Sequence, residues 1–194
     1  MMKKISVLLA VCFILCVAGT AFAGTSLSGT LPGGNQGDMS KLTEIPNFLF
    51  YHFQDGIECG VCPVYSAPSM DAFRALNGKA ACDTNEDLYV GGFEENGWLM
   101  VRYETNNDAT RTGYIPPQYL NGFSYWRKTT FSYVPAVTDG TVYVTDNPMD
   151  HYTAFAMLDS GENYYILGEY TYHGNWWYIE CTVDGQVARG FIAK

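Results

Sequence analysis

Gly97-Trp98-Leu99-Met100-Val101, followed by Arg111-Thr112-Gly113-Tyr114-Ile115, sets the architecture because the chain contains the pattern twice. The second appearance is Asn175-Trp176-Trp177-Tyr178-Ile179, followed by Ala188-Arg189-Gly190-Phe191-Ile192. Each copy reads as a turn, a strand opening on Trp, a polar loop, and a short strand opening on Gly-aromatic-Ile. Upstream, Val64-Tyr65-Ser66-Ala67-Pro68 is matched by Val144-Thr145-Asp146-Asn147-Pro148. All these landmarks recur roughly 80 residues on, and an offset near one small-domain length marks a duplicated unit.

The neighbouring segments carry the same all-β signature. Leu88–Phe93 reads as a strand whose glycine pair, Gly91-Gly92, suits a bulge or a close approach of backbones. Glu94-Glu95-Asn96-Gly97 reads as a hairpin turn, with Asn-Gly predicting type I′ geometry. Residues 62–66 and 78–82 read as a strand and its return, joined by a long loop that contains Arg74. In the second copy, strands are expected over 141–145, 163–168, 176–183 and 187–192, with a long polar segment over 149–162. The aromatic run Asn47–Phe53 reads as a leading strand, and residues 123–137 as strand-like spacing between the units. Short strands bounded by Gly, Asn, Asp and Pro, with no 3.6-residue apolar period, predict small β-barrels.

The N-terminus predicts delivery. Lys3-Lys4, an apolar run from Ile5 to Ala18 and the ending Ala21-Phe22-Ala23 compose a secretory signal peptide over 1–23. Residues 24–41 are rich in Gly, Ser and Thr, too poor in apolar side chains to offset their ordering entropy, and read as a flexible tether. The chain therefore divides as 1–23 signal, 24–41 tether, 42–122 first domain with its leading aromatic strand, and 123–194 second domain. The expected location is outside the cytoplasm, secreted or attached to the envelope, with no membrane contact after cleavage. The formal net charge is −9, and loss of Lys3 and Lys4 makes it more negative. Such a balance excludes nucleic acid, where basic side chains must neutralise phosphates, and disfavours docking on anionic lipid. The 15 tyrosines and 15% aromatic content suit both β strands and surfaces that contact carbohydrate.

Val64–Pro68, Arg74-Ala75-Leu76-Asn77-Gly78-Lys79-Ala80, Gly97-Trp98-x-x-Val101 and Arg111–Ile115 together resemble a bacterial SH3-like (SH3b) domain. Residues 145–148, Leu167-Gly168, Trp176–Glu180 and Arg189–Ile192 resemble it again, without a counterpart of Asn-Gly-Lys-Ala. The resemblance covers roughly 56–194. It implies two tandem, partly open SH3-like barrels and non-catalytic binding in the envelope, to peptidoglycan or its peptide stems. Carried over residue by residue, it places Tyr65, Arg74, Asn77, Trp98 and Tyr114 in the groove of the first unit, and Trp177, Tyr178 and Phe191 in that of the second. Burial in the core is the competing reading for Trp98, Tyr114 and Phe191.

Cys59, Cys62, Cys82 and Cys181 remain after the leader. Cys59-Gly60-Val61-Cys62 has redox spacing, but a strand rather than a helix follows it, so the helix-lowered thiol pKa of a thioredoxin-type site is not expected. Zinc lacks a second ligand pair, and no cofactor is implied. In an oxidising compartment the cysteines favour a structural disulfide. If Val64 faces Ala80, the antiparallel register sets Cys62 opposite Cys82, at a separation a disulfide can bridge, although four cysteines allow three pairings. Cys181 is expected as a buried free thiol. His52, His151 and His173 sit beside no helix-borne Cys, and the many acids make carboxylate pairs trivial to draw. The expectation is therefore a non-enzymatic protein that binds peptidoglycan or an extracellular glycopeptide. A protein–protein adaptor is the alternative, and an envelope thiol–disulfide enzyme is the least favoured reading.

Overall fold

A computed structural model describes residues 39–53, 60–86, 88–105, 109–149 and 153–194. The segments read as signal peptide and, up to residue 38, as tether lie outside the described residues, as does Cys59. The strands are β1 (Thr43–Glu44), β2 (Leu49–Tyr51), β3 (Val61–Pro63), β4 (Ala81–Asp83), β5 (Leu88–Phe93), β6 (Leu99–Glu104), β7 (Thr110–Ile115), β8 (Val134–Val137), β9 (Val142–Thr145), β10 (Ala154–Leu158), β11 (Asn163–Tyr170), β12 (Trp176–Val183) and β13 (Gln186–Ala193). The expected all-β class holds. Among the described residues the strands form open sheets, and none closes into a barrel.

The two units have one strand order. In the first, β2, β5, β6 and β7 pair in sequence, and β7 reaches the β3–β4 pair through the bridge Tyr65↔Tyr114. In the second, β8, β11, β12, β13, β9 and β10 follow each other, with Phe191↔Thr145 as the same junction. The glycines fit this seam. A Cβ on Gly113 would meet the side chain of Val64 and, at 2.8 Å, the carbonyl of Tyr65. A Cβ on Gly190 would meet Val144 Cγ1 at 2.6 Å and the carbonyl of Thr145 at 2.8 Å. Both bulges also coincide: β5 shifts register against β6 between Val90 and Gly92, and β11 against β12 between Ile166 and Gly168.

Two local expectations need correction. Only Gly97 of the Asn96-Gly97 pair has positive φ, at +81°, so that turn is not type I′. Asn96 instead accepts from the Trp98 amide and donates to the Pro68 carbonyl. Type I′ geometry, which needs two left-handed residues, occurs at Asp184-Gly185 with φ of +51° and +79°, closing the β12–β13 hairpin. The supposed polar segment 149–162 contains β10, which pairs with β9.

The units also exchange their leading peptides. Thr43–Glu44 lies parallel to β11 of the second unit, with the Ile45 amide donating to the Glu169 carbonyl. Reciprocally, Lys128 bridges in parallel to Phe93 of the first unit, with the Thr129 amide donating to the Phe93 carbonyl. Each crossing peptide takes the edge that the bulge leaves open beyond β2 or β8. Reciprocal contacts of this kind are those of a two-fold, isologous interface built within one chain. Three apolar clusters follow. One fills the first unit around Val90, Leu99, Val101 and Ile115, and another fills the second around Val144, Ile166, Ile179 and Ile192. The third lies between them and gathers Ile45, Phe48, Trp98, Met100, Tyr114, Leu167, Tyr170, Trp176, Tyr178 and Phe191.

Candidate functional site

That middle cluster decides where a ligand can bind. Tyr114 and Phe191 are fully buried, Tyr178 is 1% exposed and Trp98 6%. The four rings assigned to ligand grooves are therefore packed against the sister unit. Tyr178 lies 4.8 Å from Phe191 ring to ring, and its hydroxyl is 3.1 Å from that of Tyr114. Fully buried rings cannot stack on a sugar or peptide in this conformation, so the groove assignment is corrected for Trp98, Tyr114, Tyr178 and Phe191. The aromatic faces of the two units meet in one buried cluster.

The seam is polar at its centre. Arg189, 4% exposed, donates to Glu94 at 2.5 Å, Glu180 at 2.8 Å, Tyr114 Oη at 3.1 Å and Tyr133 Oη at 2.5 Å. Its guanidinium also lies 4.9 Å from the Phe131 ring. Burial works against this charge, but Tyr114, Tyr178, Glu94 and Tyr133 facing it push the arginine pKa up overall. Burial likewise raises Glu94, and Arg189 offsets only part of that. Donors and acceptors are matched, as a buried ion cluster requires. The cluster holds the two units together and is closed to a ligand. Neither Arg189 nor Glu94 was singled out from the sequence: Arg189 reads locally as one strand residue before Gly190.

Tyr65, Arg74, Asn77 and Trp177 keep access to solvent. Tyr65 stands edge-on to Trp98 at 5.5 Å, with the Arg74 guanidinium 5.3 Å from its ring. Arg74 Nε and Nη2 both donate to the Ala80 carbonyl, at 2.9 and 2.7 Å. That clamp closes a loop in which Leu76, Asn77 and Gly78 are consecutively left-handed, with φ of +55°, +53° and +77°. Asn77 and Leu76 are displayed at its tip. Trp177 carries Lys194 Nζ 3.8 Å above its ring. Beneath the loop, a cleft lined by Tyr65, Phe73, Tyr103, Asp146 and Phe155 has about 10 Å³ of space. This is room for one water-sized group and excludes a sugar or side chain. Asp146 pairs with Arg111 through Oδ2 at 2.7 Å, and its buried Oδ1 has no partner among the described residues.

The cysteines give a second correction. Cys62 faces Cys82 across β3–β4, as the register argument requires. However, Cys82 is a free buried thiol and the sulfur of Cys62 is engaged elsewhere, so no bond joins them. A sulfur already bonded cannot close a second bridge. Burial, then the charge of Asp83, pushes the Cys82 thiol up to about 12. Burial and Glu180 push Cys181 up to about 12 as well. Thiols so protonated are poor nucleophiles. Among the described residues, no three His, Cys, Asp or Glu side chains are grouped to hold a metal.

No protein-family model matches the chain, no curated protein matches it in sequence, and no solved structure matches it in fold.

Proposed function

We propose that the chain is a secreted, non-catalytic binding protein made of two SH3b-like units, which recognises cell-wall peptidoglycan or an extracellular glycopeptide through the first unit. The observation that carries the reading is the clamped loop at 74–80. A left-handed backbone at a residue with a side chain costs roughly 1–2 kcal/mol. Leu76 bears that cost in full, and Asn77, a type that tolerates the conformation better, bears less of it, at an exposed tip where nothing in the core demands it. Strain held at a surface by a dedicated clamp fits a preorganised ligand loop. The second unit has no Asn-Gly-Lys-Ala segment, so its part is to bury the aromatic seam and fix the first unit. An adaptor reading draws on Trp126, 75% exposed beside Tyr125, as an anchor for a protein partner.

The test is co-sedimentation of the leaderless protein with purified peptidoglycan, alongside the Leu76→Gly variant. The protein should leave the supernatant, and the variant should do so less. Wild-type protein that stays in the supernatant at low salt overturns the reading.

A further inference from the structure

The cleft beneath the 74–80 loop is also a place where the two units meet, and one of its walls is an acceptor that no described group satisfies. Asp146 follows β9 of the second unit and is 6% exposed. Its carbonyl accepts from the Thr112 amide at 2.7 Å and from the Thr112 hydroxyl at 2.8 Å. Its Oδ2 accepts from Arg111 at 2.7 Å, so the residue is latched to β7 of the first unit. Oδ1 is buried and has no partner among the described residues. The other buried side-chain atoms that share this lack belong to amide and hydroxyl groups, and Asp146 alone among them is a carboxylate. A charged acceptor buried without a donor is costly, and buried polar groups in folded proteins are met by protein or by ordered water.

The cleft supplies what that oxygen needs. Its space of about 10 Å³ admits one water-sized group. Tyr103 on β6, 4% exposed, lines the same cleft and pairs with Arg111 across β6–β7. Burial, then the charge of Asp146, pushes the Tyr103 pKa up, so the phenol keeps its proton and is a donor. Thr112 and Ser66 line the cleft as well. Their hydroxyls donate to the Asp146 and Phe73 carbonyls, which leaves their lone pairs to accept. Ser66 is the first-unit counterpart of Asp146 in the repeated segments Val64–Pro68 and Val144–Pro148. The two copies of one position therefore face one cleft, the serine satisfied within its own unit and the aspartate not.

We propose that this cleft binds one water molecule as a fixed part of the junction between the units. The water accepts from the Tyr103 hydroxyl and donates to Asp146 Oδ1, and Thr112 Oγ1 or Ser66 Oγ takes its second proton. Three partners are the usual complement of a buried water. A monovalent cation of the same size fits less well. Ammonium has no lone pair for the Tyr103 proton, and Arg111 already neutralises the carboxylate at 2.7 Å. A second guanidinium, that of Arg74, acts on the same phenol. The bound water gives the floor beneath the clamped loop its support from the second unit, and this role does not depend on the cell-wall reading.

The test is a crystal structure of the leaderless protein at a resolution that shows ordered water, alongside that of Tyr103→Phe, which keeps the buried ring and removes the donor. The wild type should show a peak about 2.5–3.0 Å from both Asp146 Oδ1 and the Tyr103 hydroxyl, and the variant should lose it or show it weakened. In solution, the Thr112 or Ser66 amide of the wild type should give water cross-peaks whose NOE and ROE have opposite signs, the mark of a water held longer than those at the surface. That measurement needs no variant, so it decides the matter even where Tyr103→Phe does not fold. A dry cleft, an Arg111 turned so that it pairs with both carboxylate oxygens, or a peak indifferent to loss of the Tyr103 hydroxyl overturns the proposal. Absence of the water cross-peaks does so too. An anomalous peak at the same place after soaking with thallium(I) acetate assigns a monovalent cation in place of the water and equally overturns it.

Discussion

In the first unit, β3 and β4 have three residues each, and the chain between them makes the clamped loop and leaves a cavity at the strand ends. In the second, β9 and β10 have four and five residues, and Leu158 and Tyr164 close the corresponding end. Strand order, bulge position and seam glycine are shared, so the divergence lies in how each unit uses its loops. One copy has become scaffold, with longer strands and a filled end. The other keeps a strained, clamped loop, a feature that stability alone would remove.

The largest break in this comparison is expected at Arg189. Its counterpart on β7 is Thr112, which donates to the Asp146 carbonyl at 2.8 Å. Arg189→Met leaves Glu94 and Glu180 facing a partly buried seam without their cation, at a cost of about 3–5 kcal/mol. Thr112→Val removes one hydrogen bond, at about 1 kcal/mol. Urea denaturation of both variants measures the asymmetry, and equal losses would deny that the seam is centred on Arg189. Next in size are Gly113→Ala and Gly190→Ala. Each added methyl meets a backbone carbonyl that cannot swing away, and each should cost about 2–3 kcal/mol. Similar losses at both would bear out the equivalence of the two junctions. Tyr178→Phe should cost about 1 kcal/mol, since it takes one partner from Tyr114 while Arg189 still serves that hydroxyl.

Glu94 adds a pH signature. Its folded pKa lies above its ordinary value of 4.5, with burial as the leading cause. The protonated form is therefore favoured by folding. Its contribution is complete below the unfolded pKa and is lost as pH rises through the folded one. Glu94→Gln should accordingly flatten the fall in stability above about pH 4.5. A variant whose pH–stability curve still parallels that of the wild type would deny this role.

Much of the fold could be read from local sequence. The bulge at Gly91-Gly92, the boundaries of β5 and β12, and the paired Gly-aromatic-Ile strands follow from residue type and period. β10 escaped because Ala154–Leu158 is a short run inside a polar stretch, paired through distant β9. Exchange of the 43–45 and 127–129 peptides left no local trace, because a parallel edge contact asks little of the residues that make it. The site was misjudged for a related reason. A ring that stacks on a ligand and a ring that stacks on a sister unit have the same composition, and only the three-dimensional partner tells Trp98 from Trp126. Cys62 and Cys82 show the reverse case: the register was legible, but the competing engagement of Cys62 was not.

Leu76 offers the smallest effect and the sharpest separation of stability from function. At φ +55° its Cβ crowds the following carbonyl, a strain of roughly 1–2 kcal/mol that glycine would not bear. Glycine also loses more backbone entropy on folding, by roughly 0.5–1 kcal/mol. The side chain is 61% exposed, so little burial is forfeited. Leu76→Gly should therefore gain about 0.5 kcal/mol, seen as a small rise in melting temperature. A useful reference is the Asp184-Gly185 turn of the β12–β13 hairpin, where the side-chain-bearing left-handed residue is Asp, a type that tolerates this conformation better. Asp184→Gly should accordingly gain less. If Leu76→Gly stabilises the fold and weakens sedimentation with peptidoglycan, the strain is there for binding. If it destabilises the fold, the loop is held by contacts of Leu76 itself and the case for a preorganised display fails.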